Sequence, residues 1–146
     1  MSEQQRLSDR LTRYWELLRK DEVMPPFQQF NVSTIEDMWG NCVLFSVNKT
    51  NEQTKSFVFY RVGDRVKELY NEDLTGVSLK SKQKMIKGAA IIKRIDEIIT
   101  NPAPVYDSGQ FISERNKVVK FRSCLLPFGK NGEVTHVIAG LSWREF

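Results

Sequence analysis

The sequence predicts an α+β domain of five strands, in part joined by antiparallel hairpins, around a helical middle and preceded by an amphipathic helix. Three observations predict it. Two runs rich in β-branched and aromatic residues, Asn41 to Val47 and Ser56 to Val62, precede a helical middle, and three more strand-like runs follow at Val105 to Ser113, Lys117 to Phe128 and Val134 to Trp143. The connections Asn48 to Lys55, Ser113 to Asn116 and Gly129 to Glu133 are polar or glycine-bearing and short enough for hairpins, the third containing an Asn-Gly pair that tolerates positive φ. Ahead of all this, Leu7, Leu11, Tyr14, Trp15 and Leu18 recur at helical spacing within Glu3 to Lys20, with Arg6, Asp9, Arg10, Arg13 and Glu16 opposite.

Taken in order, the first helix ends before Met24-Pro25-Pro26, because proline lacks the helical donor and restricts the residue before it. Ser33 or Thr34 offers a cap for a short turn through Ile35 to Met38. After the first two strands comes Gly63, and Asp64 can cap a helix running to Tyr70. Asp73-Leu74-Thr75-Gly76 reads as a turn. A basic helix from Ser81 to Thr100 follows, with Met85, Ile86, Ala89, Ile92, Ile95, Ile98 and Ile99 on one broad face and Lys82, Lys84, Lys87, Lys93 and Arg94 in solvent. Asn101-Pro102-Ala103-Pro104 stops it and releases the chain into the last three strands.

At 146 residues the chain is sized for one domain, and 40% apolar with 27% charged residues is the balance of an ordinary globular protein. Apolar runs such as Cys42 to Phe45 fall far short of the ~20 residues of a membrane helix, and the polar start Met1-Ser2-Glu3-Gln4-Gln5 lacks a signal-peptide layout. A cytoplasmic protein without membrane contact is expected. Cys42 and Cys124 lie inside apolar runs without the spacing of a metal or redox pair, so both are expected as reduced, buried thiols. A net charge of +4 permits weak attraction to anionic partners.

The stretch from Phe57 through Tyr60, Gly63, Leu69-Tyr70 and Asp73-Leu74-Thr75-Gly76 resembles the signature of PAS sensory domains. Within them it is similar to the small stand-alone PAS proteins of alphaproteobacteria, and the likeness extends from about Arg13 to Trp143. The resemblance implies a PAS-like five-stranded antiparallel sheet of spatial order B-A-I-H-G, where A and B are the first two strands and G, H and I the last three. It also implies helices over one face enclosing a pocket, with residues 1–22 as an added amphipathic helix and residues 23–146 as the PAS domain. With strand I between A and H, Cys42 and Cys124 are too far apart for a disulfide.

Catalysis finds little support. His136 is the sole histidine and is flanked at two-residue spacing by Val134 and Ile138, which favours a structural role. One histidine without a Cys-x-x-Cys pair makes an N/S zinc site improbable, and neither a phosphate loop nor a dinucleotide fingerprint occurs. Gly40-Asn41-Cys42-Val43-Leu44-Phe45 superficially resembles the cysteine segment of flavin-binding light sensors, but it lacks the arginine and glutamine and sits on the opening strand rather than the central helix. Haem sensing by the usual route would need a histidine on the helix from Ser81 to Thr100, where there is none. No cofactor, no metal and no enzymatic activity are expected. The run Lys80 to Lys93 has no interleaved aromatics and is followed by Asp96 and Glu97, so it reads as a solvated face rather than a nucleic-acid stripe.

Strand parity proposes the pocket lining: Phe57, Phe59 and Arg61 on one face of strand B, Val119, Phe121, Ser123 and Leu125 on strand H, and Val137, Ala139 and Leu141 on strand I. The ligand-binding candidates are Phe59, Arg61, Met85, Ala89, Phe121, Ser123 and Ala139. Arg61 either holds the carboxylate of a small ligand or snorkels and pairs with Asp64 or Glu68. With reversed parity, Val58 and Tyr60 face inward instead. The stripe Leu7, Leu11, Tyr14, Trp15 and Leu18 is the candidate interface, either with a second copy as a homodimer or with the chain's own sheet. The expected function is a stand-alone sensory or signalling adaptor that binds a small molecule or a signalling protein and changes its interactions. The alternative is a ligand-free interaction scaffold with a filled core.

Overall fold

The computed structural model describes residues 3–49, 55–78, 88–113 and 115–146. Helix α1 (Glu3–Arg19) leads through two 3-10 turns to the short α2 (Glu36–Trp39), then to strands β1 (Cys42–Lys49) and β2 (Lys55–Val62). Helices α3 (Asp64–Tyr70) and α4 (Gly88–Thr100) follow, then β3 (Val105–Ile112), β4 (Val118–Lys130) and β5 (Glu133–Glu145). The sheet order is β2-β1-β5-β4-β3 with every neighbouring pair antiparallel, which is the order B-A-I-H-G. Where they meet, β4 and β5 run on to Lys130 and from Glu133, past the expected Phe128 and Val134, because the turn between them is tight: Asn131 and Gly132 take φ of 54° and 75°, the double positive φ of a two-residue hairpin.

Register assigns two faces. Directly paired residues share a face, so Cys42, Gly140 and Cys124 stand in one row and Val43, Ala139 and Leu125 in the next, on the other side. The first row belongs to the outer face, covered by α1 and the segment after it. Leu11 and Trp15 are 0% and 2% exposed there, and Leu7, Tyr14 and Leu18 pack against the same core. The inner face meets α3 and α4 through Val66, Leu69, Ile95 and Ile98, all buried. Cys42 and Cys124 are buried free thiols on opposite sides of β5, and desolvation pushes the pKa of both upward.

Local chemistry explains the junctions. Gly63 takes ordinary extended dihedrals, yet a side chain there would collide with the carbonyls of Trp39 and Gly40, and the Gly40 carbonyl accepts from the amides of Arg65 and Val66. Glycine is required by that close approach. Asp73 Oδ1 accepts from the amide and hydroxyl of Thr75 at 3.0 and 2.6 Å, and Gly76 at φ +84° turns the chain so that Val77 bonds the edge of β2.

Several expectations are corrected. The side chain that caps the second 3-10 turn, Val32–Ile35, is Asn31, which accepts from the Ser33 amide, rather than Ser33 or Thr34. Asp64 lies inside α3 with Gly63 at its cap position, and it bonds no backbone amide as a cap. The basic helix is described from Gly88 onward. Met85, Ile86 and the lysines at 80, 82, 84 and 87 lie outside the described residues, as do the side chains of Ala89, Ile92 and Lys93.

Candidate ligand chamber on the inner sheet face

The inner face is packed unevenly. At the β1–β2 end it is closed: Phe45 and Phe59 lie 4.9 Å apart between ring centroids, and both are buried together with Phe57, Val62, Val66, Leu69 and Leu74. Toward β3 it opens. Phe111, Phe121, Ser123, Ala139, Leu141 and Trp143 are only half-buried although their register places all of them inward.

Aromatic rings border this opening. Phe111 stands 6.0 Å from Phe121 and 6.4 Å from Tyr70, which reaches in from the end of α3. Gly109 lies directly opposite Phe121 in the ladder, and a Cβ there would come within 3.1 Å of the ring. The missing side chain lets the ring lie across β3. Between the rings stand the small side chains of Ser123 and Ala139; Ser123 pairs with Leu141, and Leu125 with Ala139. Asp107, opposite Ser123, is engaged by Arg94 of α4 at 3.3 Å, which ties that helix to β3. Burial pushes the Tyr70 phenol upward, so it stays protonated and can donate.

Sequence reasoning placed three of its candidates here: Phe121, Ser123 and Ala139. Phe59 is inward too, but it sits in the closed half against Phe45. Arg61 does not face the chamber. The pairing shifts between Leu44↔Arg61 and Phe45↔Phe59, so Tyr60 is an extra residue that reverses parity beyond it. Phe57 and Phe59 therefore point inward with Val62, while Arg61 is exposed with its guanidinium 5.9 Å from the Tyr60 ring. Met85 lies outside the described residues, and so does the side chain of Ala89. Tyr70, Phe111 and Trp143 were missed; the alternation of β3 and β5 was the available signal for the last two.

The interface stripe is engaged within the chain. Trp15 Nε1 donates to the Pro127 carbonyl at 2.6 Å, and Leu11 fills the space left by Gly140. On the same outer face the His136 ring stacks on Phe27 at 3.6 Å, with Nδ1 2.8 Å from the Thr135 hydroxyl. Among the described residues no three His, Cys, Asp or Glu side chains gather where they could hold a metal ion, and no described helix is long and apolar enough to cross a membrane. The chamber can offer apolar contact, ring stacking and hydroxyl groups.

Residues 3–142 match the family described as PAS domain. No curated protein matches the chain. Among solved structures, the wild-type PAS-B domain of Drosophila melanogaster Cycle with bound ethylene glycol is 16% identical, covers 70% of this chain and 98% of its own, and gives a TM-score of 0.48. A tryptophan-to-alanine variant of that domain with bound glycerol is 15% identical at the same coverage and TM-score. The PAS domain of an HTR-like protein from Haloarcula marismortui is 13% identical over 97% of this chain and 96% of its own, with a TM-score of 0.43. At these scores the overlays carry no functional argument.

Proposed function

Because the chain belongs to the PAS domain family, a family of sensory and signalling domains, we propose that it is a cytoplasmic sensory adaptor that takes a small, mostly apolar ligand in the open half of its inner face. The observation that carries this reading is the contrast between the two halves. A core that served stability alone would bury Phe111, Phe121 and Trp143 as completely as Phe45 and Phe59, since each ring left partly in water forgoes part of a burial term of about 25 cal/mol per Å². Ser123 and Ala139 are small residues on this half of the face, and the Ser123 hydroxyl supplies a polar contact that orients a ligand.

The output runs through β5. Ala139 faces the chamber and its neighbour Gly140 faces Leu11 of α1, so a ligand that shifts β5 alters the seat of α1 and biases its contacts with a signalling partner. The filled half supports the alternative, a ligand-free interaction scaffold.

Titration of the labelled protein with indole separates the two readings. The expected result is saturable shifts at the amides of Phe121, Ser123, Ala139 and Leu141, with Ala139→Phe weakening binding about tenfold or more by occupying the space. Shifts that do not saturate, or a variant that binds as the parent does, favour the scaffold.

A further inference from the structure

The outer sheet face beyond α1 carries a row of cations. Lys120 and Arg122 on β4 and Arg144 on β5 all face outward by register, with Lys120 directly opposite Arg144. Like charges opposite one another across a ladder are destabilising, yet among the described residues none of the three enters an ion pair, and Lys120 lies 4.9 Å over the Phe146 ring. Together with Ser108, Gln110 and Phe146 they border a groove of about 440 Å³.

The groove runs along an open strand edge. β3 pairs with β4 over all of Val105 to Ile112 without a bulge, contains neither proline nor lysine, and among the described residues nothing pairs with its other side. The opposite edge of the sheet is treated differently: Phe59 of β2 donates to Val77 and accepts from Gly76. A strand edge without a partner is a template for another strand. The Ser108 amide is turned to Asp107 Oδ1 at 2.9 Å instead of entering the ladder, so by alternation the even-numbered residues of β3 present their backbone groups outward. Their side chains lie on the face that carries the cations.

We propose that an acidic, extended segment of another protein adds to β3 as a sixth strand, its backbone bonded to the even-numbered residues and its carboxylates meeting Lys120, Arg122 and Arg144. A second copy of this chain fits less well. The outward side chains of β3 are Tyr106, Ser108, Gln110 and Ile112, so a copy brings a second set of cations and no carboxylate to neutralise the first.

The probe is a blocked peptide of about ten residues alternating valine and glutamate, roughly the length of a strand, with a valine-serine peptide as control. Fluorescence polarisation is expected to show saturable binding of the acidic peptide that weakens as salt rises, and at least a tenfold loss in the Lys120→Glu, Arg122→Glu double variant. Gln110→Pro, which removes an outward amide and leaves the β4 ladder intact, should abolish binding. Should that variant fail to fold, hydrogen exchange at the amides of Tyr106 and Gln110 in the parent protein serves instead, and it must slow when peptide is bound. Equal binding of the serine peptide, retained binding by the double variant, no saturation below about 1 mM, or a dimer that Gln110→Pro dissolves would each overturn the proposal. This surface is on the far side of the sheet from the inner chamber, so it can fail while indole binding stands, and the reverse.

Discussion

Gly140 shows how much a single missing side chain can decide. It lies in β5 between Cys42 and Cys124, and an added Cβ would overlap Leu11 Cδ1 and stand 3.1 Å from Cys124 Sγ. Gly140→Ala should therefore lower stability by about 1–3 kcal/mol, the usual cost of overpacking, read as a lower urea midpoint with an unchanged slope. A midpoint equal to the parent's would show that α1 rides loosely on the sheet. The same scale marks where sequence reasoning stopped. Ser123 and Ala139 were legible because strict alternation holds along the part of β4 and β5 they occupy. Arg61 was not, because a one-residue bulge at Tyr60 leaves no compositional trace and reverses every position after it. With Tyr60 46% exposed and Arg61 exposed beside it, that end of β2 puts two large polar-tipped side chains on the surface, where either can reach water.

For an element, periodicity announces an apolar face without saying what will cover it. The stripe of α1 was readable to the residue, and both its possible partners were stated, but the choice depended on the width of the outer face. Trp15 shows what its own part of the stripe meets within the chain. β3 ends its pairing at Val105↔Leu125, so beyond that point β4 has no neighbour on one side, which is why a proline is tolerated at position 127. Its carbonyl is satisfied by the Trp15 indole at 2.6 Å. Trp15→Phe keeps most of the ring volume and removes that donor, and should destabilise the protein by about 1–3 kcal/mol through the unsatisfied buried acceptor. Calorimetry on the variant checks it; an unchanged transition temperature would mean that water reaches the carbonyl. The α3 start was misread for a related reason: the donors expected to need Asp64 are already met by the Gly40 carbonyl, supplied by a segment distant from any helix-capping pattern.

Across the whole molecule, the strand order followed from the PAS resemblance rather than from any residue count. The uneven burial of the inner face was not visible, since alternation along a strand gives the side a residue faces and not how deeply it is covered. The outer layer makes stability sensitive to pH. Burial beside Phe27 holds the His136 imidazole below its ordinary value of 6.5, because desolvation disfavours the charged ring. The unfolded chain then takes up the proton first, so the full stability above that value is lost as pH falls toward the depressed folded one. His136→Gln should flatten the dependence of the urea midpoint between about pH 7.5 and about pH 5; a parallel decline in both proteins would place the titrating group elsewhere. Further into acid, Asp37 and Asp73 add a second decline, since a hydrogen bond from Arg10 and from Thr75 respectively holds each carboxyl below the ordinary carboxylate range.

The bond from Trp15 to Pro127 joins residues 112 positions apart, and the central strand β5 is also the last of the five strands in chain order. During synthesis on the ribosome, the first helix and the opening hairpin must therefore emerge with their oily sides uncovered and wait for the platform that will hold them. Loss of the closing strand would remove the middle of the sheet and not a margin, since β5 is what joins the opening hairpin to β4 and β3.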